Sequence, residues 1–184
     1  MNKNTLIVNF YGGPGSGKST TAARIFSELK DLSYNVELTT EFAKDLTWEK
    51  SFHVLDNQLY VFAKQQHRIW RLDGKVDMIL TDAALLNSIV YGENETSDAF
   101  KQLVIEEFKK RPSVNIFLKR VKKYNPIGRS QSEEEAKELD NLFMDRVNKV
   151  TPFDLILNGE KASTQIITDH IIEQYNKINK YGNI

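Results

Sequence analysis

The run Gly12-Gly13-Pro14-Gly15-Ser16-Gly17-Lys18-Ser19 constrains this chain more than any other stretch, because it joins two segments of different period. Before it, Thr5 to Tyr11 (TLIVNFY) is almost continuously apolar, as a strand buried on both faces requires. After it, Lys18 to Leu29 places Ala22, Ile25, Phe26 and Leu29 at i, i+3, i+4 and i+7, the core-facing stripe of an amphipathic helix. Strand, glycine-rich turn and helix in that order match G-x-x-x-x-G-K-[ST] at every fixed position. The glycines let successive backbone N–H groups turn inward at phosphate oxygens, and the helix adds its positive N-terminal end. A glycine-rich turn that merely happened to hold a lysine would need none of this context.

The motif predicts a nucleotide seat built from Gly13, Pro14, Gly15, Ser16, Gly17, Lys18, Ser19 and Thr20. Lys18, expected to face solvent, neutralises the β- and γ-phosphates of ATP, and the Ser19 hydroxyl joins the shell of Mg²⁺. That ion must arrive with the nucleotide. There is no cysteine, and the three histidines, His53, His67 and His170, show no metal-ligand spacing.

Further apolar runs alternate with helical periods along the rest of the chain, the mark of a parallel sheet wrapped by helices. Strands are expected at Asn35 to Thr39, Met78 to Thr81, Asn115 to Leu118 and Asp154 to Leu157. Helices are expected at Leu55 to Leu72, with Leu59, Phe62, Ala63 and Ile69 inward, at Ala99 to Lys110, and at Thr164 to Tyr181. Another runs from Ser132 to Val147, opening on the capping box Ser132/Glu135 and facing Ala136, Leu139, Phe143 and Val147 inward. The reading is a three-layer α/β fold over residues 1–184, one domain with five strands and no internal repeat.

In such a sheet the ligand lies beyond the carboxyl ends of the strands. The second strand runs into Thr40-Glu41 and the third into Thr81-Asp82. A carboxylate there ligands Mg²⁺ or accepts the proton of an attacking hydroxyl, and the plain alternative for each is a helix cap or a surface acid. After the fourth strand, Arg120, Lys122, Lys123 and Arg129 fall in a segment containing Pro126 and Gly128, which reads as a basic lid over about residues 119–135. A solvated charged turn is the alternative. In the long helix, Gln58 suits a base edge and Arg68 an acceptor phosphate; a solvated polar face reads equally well.

Taken together these residues resemble the small P-loop kinases, the nucleoside and nucleotide kinase group that includes nicotinamide riboside kinase-like enzymes and phage-encoded AAA-type kinase-like proteins. The resemblance rests on GGPGSGKST, Glu41 with Trp48, Asn57-Gln58-Leu59-Tyr60-Val61, Thr81-Asp82, and the lid with Tyr124-Asn125-Pro126-x-Gly128-Arg129-x-Gln131. It implies the strand order 2-3-1-4-5, ATP as donor, Glu41 as proton acceptor, Asp82 near Mg²⁺ and Gln58 on the acceptor's base. Arg120 would join the nucleotide contacts, and Arg129 would act in catalysis from the closed lid. Deoxynucleoside and thymidylate kinases place an arginine beside the third-strand acid, where this chain has Ala83, so acceptor recognition departs from theirs. Which of Glu41 and Asp82 is the general base stays open.

The expected activity is therefore transfer of the γ-phosphoryl group of ATP to a nucleoside or nucleotide. One alternative is phosphorylation of a 5-hydroxymethyl-pyrimidine in phage DNA, suggested by Lys109 to Gln131, which holds eight basic residues and no acidic one. Against it stands a formal net charge of zero. Another is a nucleotide-dependent ATPase switch. A guanine-specific switch would need Asn-Lys-x-Asp, and Asn148-Lys149-Val150-Thr151 lacks the aspartate; an assembly ATPase would add a helical domain. No run reaches the roughly 18 apolar residues of a membrane span and MNKNTLIVNF lacks a signal-peptide layout, so the expected location is the cytoplasm, that of the host for a phage protein. A homodimer is left open.

Overall fold

Five short apolar runs become the strands β1 (Leu6–Tyr11), β2 (Val36–Thr39), β3 (Met78–Thr81), β4 (Ser113–Lys119) and β5 (Leu155–Asn158). The computed structural model describes residues 4–92, 96–121, 123–125, 127 and 131–181. β1 pairs with β3 and with β4, β2 pairs with β3 and β4 with β5, every pairing parallel, in the order β2-β3-β1-β4-β5. That is the order the family resemblance implies. Because all strands run the same way, their carboxyl ends open onto one edge, and β2 and β3 deliver Glu41 and Asp82 side by side there.

The period-2 alternation of β1 divides the interior into two layers. Leu6, Val8 and Phe10 face one side and pack with Ala22, Ile25 and Leu29 of α1 (Lys18–Asp31) and with Ile167 and Ile171 of α8 (Thr164–Tyr181). Ile7 and Tyr11 face the other, toward α4 (Gln58–Trp70), α6 (Asp98–Lys109) and α7 (Glu133–Val150). α7 carries the expected capping box, with Ala136, Phe143 and Val147 buried and Leu139 partly so.

The helix expected over Leu55 to Leu72 starts three residues later, at Gln58, and a separate short helix precedes it. α3 (Phe52–Leu55) ends before Asn57, whose Oδ1 accepts the Tyr60 N–H at 3.1 Å and starts α4 afresh. The inward stripe of α4 is Phe62, Gln65 and Ile69, whereas Leu59 is 58 % exposed and Ala63 is exposed. The stripe is rotated because the Gln65 amide takes a core position and fills it with hydrogen bonds, as described below. Two further short helices, α2 (Phe42–Trp48) and α5 (Asn87–Tyr91), are too short to show a period in sequence.

The basic run also resolves differently from its sequence appearance. Lys109 ends α6 and Arg111 lies before β4, where its Nε binds Asp73 Oδ2 at 2.6 Å, while Lys119 and Arg120 stand at the far end of that strand. Seven extended residues at about 3.3 Å each separate the two groups, so they form no single patch. Among the described residues no helix is long and apolar enough to cross a membrane.

Candidate active site

The phosphate loop leaves β1 at Gly12 and enters α1 at Lys18, with Gly17 as the N-cap at φ 101°, a left-handed backbone that L side chains rarely adopt. Gly13 is required for another reason: a Cβ there would sit 2.3 Å from the Ala136 carbonyl of α7. Lys18 does not face solvent as expected. It is half-buried and folds back over the loop, its Nζ donating to Gly12 O at 2.5 Å and Gly13 O at 3.1 Å. Burial lowers its pKa, opposed by the nearby charges of Glu41, Asp82 and Asp140. A cation held only by carbonyl oxygens, with its charge already disfavoured by burial, is ready to exchange those partners for phosphate.

Ser19 and Asp82 meet across the mouth of this loop. Ser19 Oγ donates to Asp82 Oδ2 at 2.5 Å, and Asp82 Oδ1 is buried with no hydrogen-bond partner among the described residues. A hydroxyl and a carboxylate are the hard oxygen donors that Mg²⁺ takes alongside phosphate and water, and an orphaned acceptor beside them fits that ion. Among the described residues no cluster of three or more His, Cys, Asp or Glu gathers elsewhere as a metal site. Asp82 caps no helix.

Glu41 stands at the N-cap position of α2 but its side chain caps nothing. It is half-buried on the wall of a cavity of about 410 Å³ that it shares with Lys18 and Ser19. Burial raises its pKa and the charge of Asp82 raises it further, while Lys18 and Lys44 pull it down. A carboxylate poised above its ordinary range is suited to take up a proton. The segment carrying it is held from α4. Gln65 Oε1 accepts the Phe42 N–H at 3.0 Å, and its Nε2 lies 3.4 Å from both Thr40 O and Thr81 Oγ1, so one buried amide grips both flanks of Glu41 and the residue before Asp82. Arg68 adds to this grip, donating to Thr40 O at 2.8 Å, to Thr40 Oγ1 at 3.1 Å and to the Asp45 carboxylate.

The cavity runs on from the phosphate loop between α2, α4 and α5, where Gln58, Gln65, Asn87, Ser88 and Tyr91 line it. Gln58 is on this wall, its Nε2 donating to Leu55 O at 2.7 Å. Arg68 is not on it; it stays behind the Glu41 segment. Asn87 Oδ1 is buried there with no hydrogen-bond partner among the described residues. From the segment after β4 come Lys123, Asn125, Ile127 and Gln131, while Lys122, Pro126, Gly128 and Arg129 lie outside the described residues. Arg120 is turned toward the outer side of the loop, donating to Pro14 O at 2.5 Å and pairing with Asp140 at 3.0 Å. The structure thus gathers Lys18, Ser19, Glu41 and Gln58 around one cavity, sets Asp82 directly under Ser19, and leaves Arg68 and Arg120 as braces.

Sequence reasoning missed Asn87, Ser88 and Tyr91, because α5 offers only five residues after the apolar run of β3. It gave no role to Gln65 or to Asp140. The one signal for Gln65 was its place at i+3 from Phe62 and i−4 from Ile69, a polar residue on an otherwise apolar stripe.

A family model described as AAA domain, AAA_28, matches residues 7–156. No curated protein matches the chain. Among solved structures, NadR in complex with NR superposes with a TM-score of 0.67 at 15 % identity, over 94 % of this chain and 52 % of its own. The chain thus spans about half the length of NadR. Deoxyadenosine kinase from M. mycoides with bound dATP gives 0.57 at 17 % identity, covering 90 % and 98 % of the two chains. Kti12 from Chaetomium thermophilum in complex with ADP-AlF3 gives 0.55 at 15 %, covering 92 % and 98 %. At these identities the likeness is one of fold.

Proposed function

The chain belongs to the AAA_28 family of AAA domains, and on that premise we propose that it moves the γ-phosphoryl group of ATP to a nucleoside or nucleotide acceptor. The observation that carries this reading is Glu41, a half-buried acid of raised pKa, facing Lys18 and Ser19 across a cavity that continues past the phosphate loop between α2, α4 and α5. A switch that only binds and hydrolyses ATP needs no such extension. NadR was solved with NR and deoxyadenosine kinase with dATP, which supports an acceptor of nucleoside kind.

In this assignment residues 1–184 act as one kinase domain and residues 119–135 as its lid. The N–H groups of the phosphate loop from Gly15 to Thr20 surround the phosphates of ATP, Gly13 and Pro14 shape the entry of that turn, and Lys18 leaves the carbonyls of Gly12 and Gly13 to neutralise the β- and γ-phosphates. Ser19 and Asp82 would hold Mg²⁺, which when bound supplies positive charge to the phosphate oxygens. The acceptor lies along α2, α4 and α5 with Gln58 against its base. Its hydroxyl oxygen attacks the γ-phosphorus, its proton passes to Glu41, and ADP departs. Arg129 completes the charge over the migrating group from the closed lid. Arg68 serves by bracing the Glu41 segment.

The test is a transfer screen from γ-labelled ATP into nucleosides, nucleotides and hydroxymethylated duplex DNA. Label in a nucleoside or nucleotide is the expected result. Label in DNA alone would replace the acceptor, and ATP hydrolysis that no acceptor stimulates would replace the kinase by a switch. The DNA reading keeps only the described part of the basic run, in which Lys109 ends α6 and Lys119 ends β4.

A further inference from the structure

The phosphate loop is gripped from outside by a residue two turns into α7. Asp140 Oδ1 accepts the Gly13 N–H at 2.5 Å, and Asp140 Oδ2 accepts Arg120 Nη2 at 3.0 Å. Arg120 Nη1 in turn donates to Pro14 O at 2.5 Å, so one carboxylate and one guanidinium close a ring around the Gly13-Pro14 peptide. Arg120 Nη2 also reaches Ala136 O at 3.2 Å, tying the ring to the α7 backbone. The approach is so close that a Cβ on Gly13 would lie 2.7 Å from Asp140 Oδ1. Both side chains are largely withdrawn from water, at 10 % and 20 % exposure for Arg120 and Asp140, so the contacts are charge-assisted hydrogen bonds with little competition from solvent.

We propose that Asp140, through Gly13 and Arg120, is a positioning residue for the phosphates of the bound nucleotide. The loop binds phosphate through N–H groups whose directions depend on every peptide in the turn. Gly13 and Pro14 form the entry of that turn, and nothing in glycine itself fixes the orientation of its N–H. Asp140 supplies the direction, and its charge keeps Arg120 on Pro14 O, where it holds the next carbonyl outward. Arg120 directly follows β4 and Asp140 lies in the helix that follows the lid segment, so the same ring joins both roots of that segment to the loop. Asp140 also favours the charged form of Lys18, while Arg120 opposes it.

The inference rests on the loop being a nucleotide site, and it is tested on nucleotide binding rather than on transfer. Calorimetric titration of the full chain with ADP and Mg²⁺, with unfolding curves run in parallel, should show Asp140→Ala weakened about tenfold, the scale of one lost charge-assisted hydrogen bond. Asp140→Asn keeps an oxygen for the Gly13 N–H and should be weakened only about threefold, a rescue that a purely structural role would not produce in folded protein. In a double-mutant cycle the losses from Asp140→Ala and Arg120→Ala should fall short of additive, since the two side chains pair with each other and hold the peptides on either side of Gly13-Pro14. ADP affinity in folded Asp140→Ala within about twofold of wild type overturns the proposal, and so does Asp140→Asn binding no better than Asp140→Ala. If Asp140→Ala does not fold, Asp140→Asn carries the test alone, with wild-type affinity overturning it. Wild-type protein that binds no ADP would overturn the nucleotide site itself, whereas binding that the variants leave unchanged overturns only the role of Asp140.

Discussion

In the proposed assignment the donor half of the crevice, at the phosphate loop, and the acceptor half, along α2, α4 and α5, are built by opposite means. On the donor side a single unbroken turn does the shaping, and its surroundings press directly on the backbone: α7 against Gly13, Arg120 against Pro14, and Gly159 so near Ser16 that a Cβ there would lie 1.9 Å from Ser16 O. On the acceptor side the wall is three short helices, α2, α3 and α5, of seven, four and five residues, set against the longer α4. Of these, α2 and the segment that enters it are held by side-chain hydrogen bonds from Gln65 and Arg68. A backbone ring admits few sequences and a side-chain scaffold admits many. The donor half should therefore fail sharply and locally when touched, and the acceptor half should fail by degrees.

Lys18→Ala attacks the donor half and should cost about a thousandfold in turnover, corresponding to roughly 4 kcal/mol for one preorganised charge. The fold should survive, because Nζ bonds only loop carbonyls. Steady-state kinetics with matched circular dichroism checks both, and near-wild-type turnover in folded protein would remove the loop from the chemistry.

Asp82→Asn touches the join between the halves. Removing the charge beside Ser19 should raise the Mg²⁺ concentration for half-maximal rate about tenfold, read from a metal titration at fixed ATP. Glu41→Gln run in the same titration should leave the Mg²⁺ requirement alone. A shift in Glu41→Gln and none in Asp82→Asn would reverse their roles.

Gln65→Leu strikes the acceptor scaffold without touching the loop. Releasing both flanks of Glu41 should lower turnover about tenfold through misplacement of the carboxylate, with ADP affinity unchanged. A Gln65→Leu protein that loses ADP affinity instead would show that the two halves are not separable.

The smallest effect is on stability. The folded pKa of Glu41 is raised, so its ionised form is disfavoured in the native state, and the stability it withholds grows as pH rises above the ordinary carboxylate value. Glu41→Gln should accordingly unfold at a higher temperature than wild type at pH 7, and that gain should vanish below the ordinary carboxylate range, where Glu41 is protonated in both states. Unfolding curves at the two pH values measure it.

The same contrast explains what could be read from the chain beforehand. The strands were legible because burial on both faces leaves runs such as Leu6–Tyr11 nearly free of polar residues, and the loop because its geometry demands glycine at fixed places. Glu41 and Asp82 followed from standing at the ends of adjacent strands. Gln65 was not assigned because its role depends on the backbone of residues 40 to 42, which tertiary folding brings to it. The break at Asn57 was missed because apolar residues on both sides kept the helical period through it. Asp140 left no mark: one acid on a helix rich in acids looks like solvated surface until the loop packs against it.

The most direct measurement of the central claim is ADP formation from ATP with and without a nucleoside acceptor, in wild type and in Glu41→Gln. Acceptor should strongly stimulate the wild type, and Glu41→Gln should lose the stimulated rate by at least about a hundredfold while binding ADP normally. Acceptor-independent ATP hydrolysis that persists undiminished in Glu41→Gln would contradict it.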